Sequence, residues 1–261
     1  MDKERIRKVA GDERFIVGVY NYCDGWCARC AFTSRCGVYA MGHDEDGGER
    51  KSGDLNDEEF WAELGGVFAV TREMIEEDCE EMGIDVDEAI ENMGEERDTF
   101  RKASDWHPLC LCAKDYADEV RAWFGRCEPV FKAKLEEIRS RAEMGIEGHE
   151  PEKDLKGLEE AAEVIRWYEH FIFVKLVRAI GGWLEFGEDG EDYEIYDSQG
   201  SAKIALISMD RSIAAWERLL ELLPEEEGVI LSMLAKLEEI RRGTEELIPG
   251  ARVFVRPGFD E

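Results

Sequence analysis

Cys23, Cys27, Cys30 and Cys36 fall within 14 residues, in a C-x3-C-x2-C-x5-C run. Thiolates bind soft and borderline metals well, and four of them complete either a tetrahedral zinc site or a [4Fe-4S] cluster. The spacing i, i+4, i+7 puts Cys23, Cys27 and Cys30 on one face of a helix, with Cys36 brought back over that face by a turn. Arg29, Arg35, Thr33 and Ser34 lie among them as donors to sulfur and partial counter-charges. The expected cofactor is an iron–sulfur cluster held by these four residues, and a structural zinc ion is the alternative. Of the other cysteines, Cys79 and Cys127 read as packing residues. Cys110 and Cys112 form a C-x-C pair after His107, read as core, with a second thiol site as the other option.

Two local resemblances attach to the run. The stretch from Cys27 through Cys30 to Cys36 resembles the end of the iron–sulfur loop of the endonuclease III type of DNA glycosylase, whose four cysteines hold a [4Fe-4S] cluster. The first spacing here is three residues where that family has six, and no helix–hairpin–helix pattern accompanies it. The match implies a cluster-compatible loop and not DNA repair. The stretch Cys23-x3-Cys27-x2-Cys30 is similar in spacing to the motif of radical SAM enzymes. That family usually carries an aromatic residue before the third cysteine, where this chain has Arg29, and its β/α partial barrel has no counterpart in the pattern here.

Outside the cysteines, polar residues interrupt two apolar helical stretches. Glu163, Arg166, Trp167, His170 and Arg178 recur near one stripe, with Lys175 beside it, and Lys203, Asp210 and Arg211 break a second run. Buried charges are costly unless paired, so these groups are expected to meet one another or a ligand. A structural ion-pair network is the favoured outcome. If they form a site, His170 with Glu163 and Asp210 would carry acid–base or metal roles, and Lys175 and Arg178 would bind anions. No histidine has a glutamate three residues before it, so the Glu-x-x-His signature of di-iron bundles is missing. Walker, G-x-G-x-x-G and G-x-S-x-G patterns are also missing.

The elements that must position these groups are helical. Apolar residues recur at helical spacing from Asp57, the expected N-cap, through Phe60, Leu64, Val67, Phe68, Met74 and Ile75. A shorter helix is predicted from Asp87 to Lys102, another from Pro108, and one from Pro129 to about Glu143, ended by Gly145 and Gly148. The longest spans Lys153 to Trp183, and its second half is apolar nearly all round, as in a central helix. Helices over Ser201–Leu223 and Glu225–Arg242 follow, the latter ended by Gly243. Glu185–Gly200 is predicted to be a long loop, and the tail after Gly250 to be extended and packed on the bundle. The expected fold is all-α, a multi-helix bundle (residues 55–261) with an N-terminal cysteine-rich metal-binding segment (residues 1–54).

Composition bounds the function. The 261 residues carry 62 acidic and 33 basic side chains, a formal charge of −29, which disfavours nucleic acid as a general partner. The charged N-terminus has no secretory core, and the most apolar stretch, Phe171–Leu184, contains Lys175 and Arg178. Eight cysteines without a signal peptide suggest metal or redox chemistry in a reducing cytoplasm. The expectation is a cytoplasmic protein with no membrane partner, in a redox or redox-enzyme role with a redox partner protein. The alternative is a non-catalytic scaffold with a structural zinc ion. A homo-oligomer is compatible with either, and enzymatic activity is left open.

Overall fold

The structure, a computed structural model, describes residues 3–43, 58–86, 103–144, 150–187 and 192–260. Every regular element among them is helical, in agreement with the all-α expectation. The expected Asp57 cap, the Asp87–Lys102 helix and the terminating Gly145 and Gly148 lie outside the described residues. The chain divides into two compact units. One comprises Met1–Asp98 with Val255–Glu261, and the other Thr99–Phe254.

The first unit contains helix α1 (Lys3–Ala10), 3-10 turns at Cys27–Arg29 and Thr33–Arg35, helix α2 (Gly37–Gly42) and helix α3 (Glu58–Met82). The Arg5 guanidinium donates to the carbonyls of Ala40 and His43 at 3.2 and 2.8 Å, tying α1 to the end of α2. Lys3 and Arg7 on α1 pair with Glu77 on α3, with Arg7 at 2.9 Å. The expected helix through Cys23, Cys27 and Cys30 does not form. The Asp24 carboxylate takes the Trp26 N–H at 3.1 Å, and Gly25 sits at φ +69°, a left-handed conformation that glycine adopts readily. Together these residues turn the chain before a helix can start.

The second unit is a bundle. It comprises α4 (Pro108–Arg126), α5 (Glu128–Glu143), α6 (Pro151–Phe186), α7 (Asp192–Leu222) and α8 (Glu227–Leu247), followed by a 3-10 turn at Pro249–Val253. Helices α6 and α7 form its spine, and the short span between them makes them antiparallel neighbours. They approach closely at Gly182, where a Cβ would lie 2.5 Å from Ser198 Oγ. Ile165, Ile172, Leu176 and Ile180 of α6 and Ala202, Ala205, Leu206 and Met209 of α7 are all buried in the core. The Trp216 and Trp123 rings pack edge to face at 5.0 Å. The Trp216 indole N–H donates to the Tyr116 hydroxyl at 2.9 Å, and that of Trp123 to Glu226 at 2.8 Å. Both buried indoles thus keep a partner, as burial requires.

Two boundaries differ from the expectation. Helix α7 begins at Asp192, so most of the predicted Glu185–Gly200 loop is helical. Its polar sequence hides a packing face in which Ser198 and Gly200 are buried, and tertiary burial overrides weak local propensity. Helix α8 runs through Gly243 to Leu247. Gly243 faces Leu109, with a Cβ position 2.5 Å from Leu109 Cδ2, so this glycine serves close approach rather than termination.

His107 caps α4. Its Nδ1 accepts the Leu109 N–H at 3.3 Å, and Pro108 occupies the first turn. Burial pushes its pKa below the usual histidine value. The unfolded chain therefore takes up the proton more readily, so this contribution is complete above about pH 6.5 and is lost as pH falls through the lower folded value. His107→Asn keeps a capping acceptor without the titration, and urea midpoints between pH 7 and 5 should fall less steeply in it than in wild type. In the core, Trp216→Phe removes the donor to Tyr116 and should cost about 1–3 kcal/mol in urea unfolding.

Candidate metal centre

The loop after α1 is built from tight turns, and these bring the four cysteines around one space. Cys23, Cys27, Cys30 and Cys36 all line a single small cavity of about 30 Å³. Its other walls include Val19, Tyr20, Trp26, Phe32, Tyr39 and Phe259. The cysteines come together through a looped path rather than one helical face. Asp24 and Gly25 make the first turn. The 3-10 turn Cys27–Arg29 carries Cys27, and the Cys30 N–H donates to the Cys27 carbonyl at 3.2 Å. A second 3-10 turn, Thr33–Arg35, delivers Cys36, whose N–H donates to the Thr33 carbonyl at 3.3 Å. The Ile16 N–H donates to the Arg35 carbonyl at 3.0 Å and fixes the far side of the loop.

The sulfurs have the surroundings of ligands in part. Cys30 Sγ accepts the Phe32 N–H at 3.3 Å, the kind of bond that stabilises a thiolate. Burial pushes the Cys27 thiol pKa up, and charges on Cys23, Cys30, Cys36 and Asp24 push it further. A cation beside Cys27 would favour its thiolate against both burial and the neighbouring charges. Among the described residues, no three His, Cys, Asp or Glu side chains already converge on a single metal ion. A tetrahedral zinc site requires sulfurs about 3.8 Å apart, given Zn–S bonds of about 2.3 Å.

Phe259 is a wall the sequence pattern did not reveal. The last residues, Val255–Glu261, belong to the cysteine unit rather than to the bundle on which the tail was expected to pack. Phe259 meets the Phe32 ring edge to face at 4.8 Å. Gly258 permits this at φ +75°, where a Cβ would lie 2.8 Å from Ile16 Cδ1. Arg256 anchors the turn through Asp260 at 2.9 Å and stacks on Phe259 at 4.8 Å.

The polar stripe of the bundle resolves differently. Glu163, Arg166, His170 and Arg178 lie on the exposed side of α6. Arg178 pairs with Asp197 at 2.6 Å. Asp210 pairs with Arg252 at 2.5 Å and faces Arg241 at 3.8 Å. His170 lies against Phe173, and Lys175 over Phe171. Lys203 donates to the Arg252 carbonyl at 2.6 Å. Asp210 and Arg178 thus form ion pairs, as the favoured ion-pair reading expected, and the candidate anion groups Lys175 and Arg178 each have local partners. Arg166 and Trp167 line an open groove on α6 with Glu159, Ala162 and Glu163.

The bundle cysteines are packing residues. Cys110 is buried, and burial holds its thiol at about 12. Cys127 is likewise raised to about 11 by burial. At pH 8 their thiolate fractions are on the order of 10⁻⁴ and 10⁻³. Alkylation with iodoacetamide of the native, metal-free protein at that pH should label the loop cysteines and spare Cys110 and Cys127 until the chain is unfolded, as read by peptide mass. Comparison with protein-family models, curated proteins and solved structures yields no match for this chain.

Proposed function

We propose that the protein binds an iron–sulfur cluster of the [4Fe-4S] type through Cys23, Cys27, Cys30 and Cys36, and that it works in electron transfer. One observation carries this proposal: four thiols from a 14-residue segment line one cavity. A cubane needs one thiolate per iron, and each sulfur then stands at its own corner rather than around a common point. Four thiols that border one cavity without converging on a point are compatible with that demand. When bound, the cluster supplies a one-electron couple. The chain's own part is to present the four sulfurs, donate the Phe32 N–H to Cys30 Sγ and shield one side with aromatic rings. Four cysteine ligands leave no iron open to a substrate, which favours electron exchange over substrate activation.

The second reading is a zinc ion that staples the same loop, with no redox role. It uses the same residues and requires the four sulfurs to close in on one point. Both readings place the protein in a reducing compartment and require no membrane. No helix among the described residues is long and apolar enough to cross one.

Protein purified without oxygen is expected to show a visible absorption band, with iron and sulfide at about four each per chain. Colourless protein with one zinc would overturn the iron–sulfur proposal in favour of the staple. Substituting Cys30 by Ser should lower iron content severalfold, while Cys110→Ser should leave it unchanged.

A further inference from the structure

We infer that Cys27 and Cys30 are a peroxide-oxidisable dithiol, a modification site at which hydrogen peroxide closes a reversible disulfide across the first 3-10 turn of the loop. This chemistry belongs to the metal-free chain and is the same whichever metal the thiols hold. The turn supplies its geometry. The Arg29 N–H donates to the Trp26 carbonyl at 3.0 Å, and the Cys30 N–H to the Cys27 carbonyl at 3.2 Å, so Cys27 and Cys30 stand at the two ends of one 3-10 turn. Side chains at i and i+3 of such a turn eclipse, with a rise of about 6 Å between them. Disulfides join residues whose Cα atoms are about 4.4–6.8 Å apart, so this pair can close without the backbone being redrawn.

The other two thiols are placed differently. The second 3-10 turn sets Cys36 over Thr33. Between Cys23 and Cys27 the chain passes through the Asp24 turn and the left-handed Gly25, which breaks the register that would stack them. Access also divides the pair into roles. Cys27 is exposed and Cys30 half-buried, so peroxide meets Cys27 first. Cys30 Sγ accepts the Phe32 N–H at 3.3 Å, a bond that favours its thiolate and readies it as the resolving sulfur. Burial and neighbouring charges raise the Cys27 thiol, so closure takes excess peroxide rather than traces.

In the first step the Cys27 sulfur attacks a peroxide oxygen, the O–O bond breaks, and one water leaves a sulfenic acid behind. The Cys30 sulfur then attacks that sulfur, the S–O bond breaks, and a second water leaves. The two thiol protons end in the waters, and the two electrons that the sulfurs lose reduce the peroxide. A thiol reductant reopens the bond by exchange. While it is closed, two of the four thiols are withdrawn from metal binding.

The test takes the full reduced chain, freed of metal by anaerobic chelation, adds hydrogen peroxide, blocks the remaining thiols with iodoacetamide and maps the peptides by mass. Trypsin cuts after Arg29 and Arg35, which leaves Cys23 and Cys27 in residues 15–29, Cys30 in residues 30–35 and Cys36 in the next peptide. A chymotryptic cut after Trp26 then parts Cys23 from Cys27. The main product is expected to join Cys27 to Cys30, lighter by two hydrogens, and dithiothreitol should reopen it. Chain unfolded in urea before the peroxide should give severalfold less of this linkage. Cys36→Ser should keep the linkage, and Cys30→Ser should lose it.

A main product that joins Cys30 to Cys23 or Cys36 overturns the inference. So does an absence of disulfide, oxidation that runs on to sulfinic acid, or a native yield no greater than that of the unfolded chain. The wild-type map decides the matter even where a serine variant fails to fold. A reduced chain that takes up no iron and sulfide fails the earlier proposal and leaves a mapped Cys27–Cys30 disulfide standing.

Discussion

Four thiols border one small cavity in the N-terminal unit, and tight turns rather than a packed core bring them there. The unit's apolar core is slight. Among its described residues the buried apolar side chains are Val19, Tyr22 and Trp26, whereas the bundle buries two tryptophans and a long series of aliphatic residues. A segment this poor in core draws its order from turns, from the Arg5 bonds to two carbonyls and from the C-terminal Phe259 against Phe32. A metal centre would add the missing cohesion, since binding free energy at a thiolate site is also folding free energy. Burial first, and the neighbouring thiols after it, raise the Cys27 thiol, which a bound cation would offset.

The bundle was legible because its signals are local and repeated. Long apolar stripes at period 3.6, with Pro108, Pro129 and Pro151 in first turns, state where helices begin with little help from the fold. The cysteine run misled for the opposite reason. Its i, i+4, i+7 spacing suits a helix face, but one Asx turn at Asp24 and one left-handed Gly25 outweigh spacing when no apolar stripe supports a helix. Gly243 misled because a glycine near a helix end signals termination only when its neighbours permit it. Here Leu109 fills the space where a side chain would stand, which no local pattern records.

The candidate site was half legible. Its four cysteines stood out because they are dense in sequence, and they border one cavity. Its walls did not, because Phe259 reaches the cavity from the far end of the chain, and no pattern marks such long-range closure. The polar stripe shows the reverse error. Glu163, His170 and Arg178 sit in an apolar stretch of sequence and so read as buried, yet α6 presents them on its exposed side. A helix that is central to a bundle still has one outer face, and charge on that face signals solvent. Arg178 and Asp197, or Asp210 and Arg252, then form pairs at the bundle's rim. Such half-exposed pairs contribute about 0–1 kcal/mol each, so their role is register and solubility more than stability.

Ligand number separates the two chemistries the cavity invites. A cluster held by three cysteines keeps one iron free, and a free iron can bind and activate a substrate. Four cysteines satisfy every iron, so only electrons can cross the boundary, and the protein's remaining influence lies in how closely a partner can approach and with what charge. Cys27 is the exposed member of the four cysteines, so in a cluster held there it would lie where that influence is greatest. A zinc ion in the same thiolates would gain nothing from such exposure, because a structural site is best served by enclosure on all sides. Within the iron–sulfur proposal, the exposure of Cys27 would suit transfer better than stapling, on physical grounds that are independent of cysteine spacing.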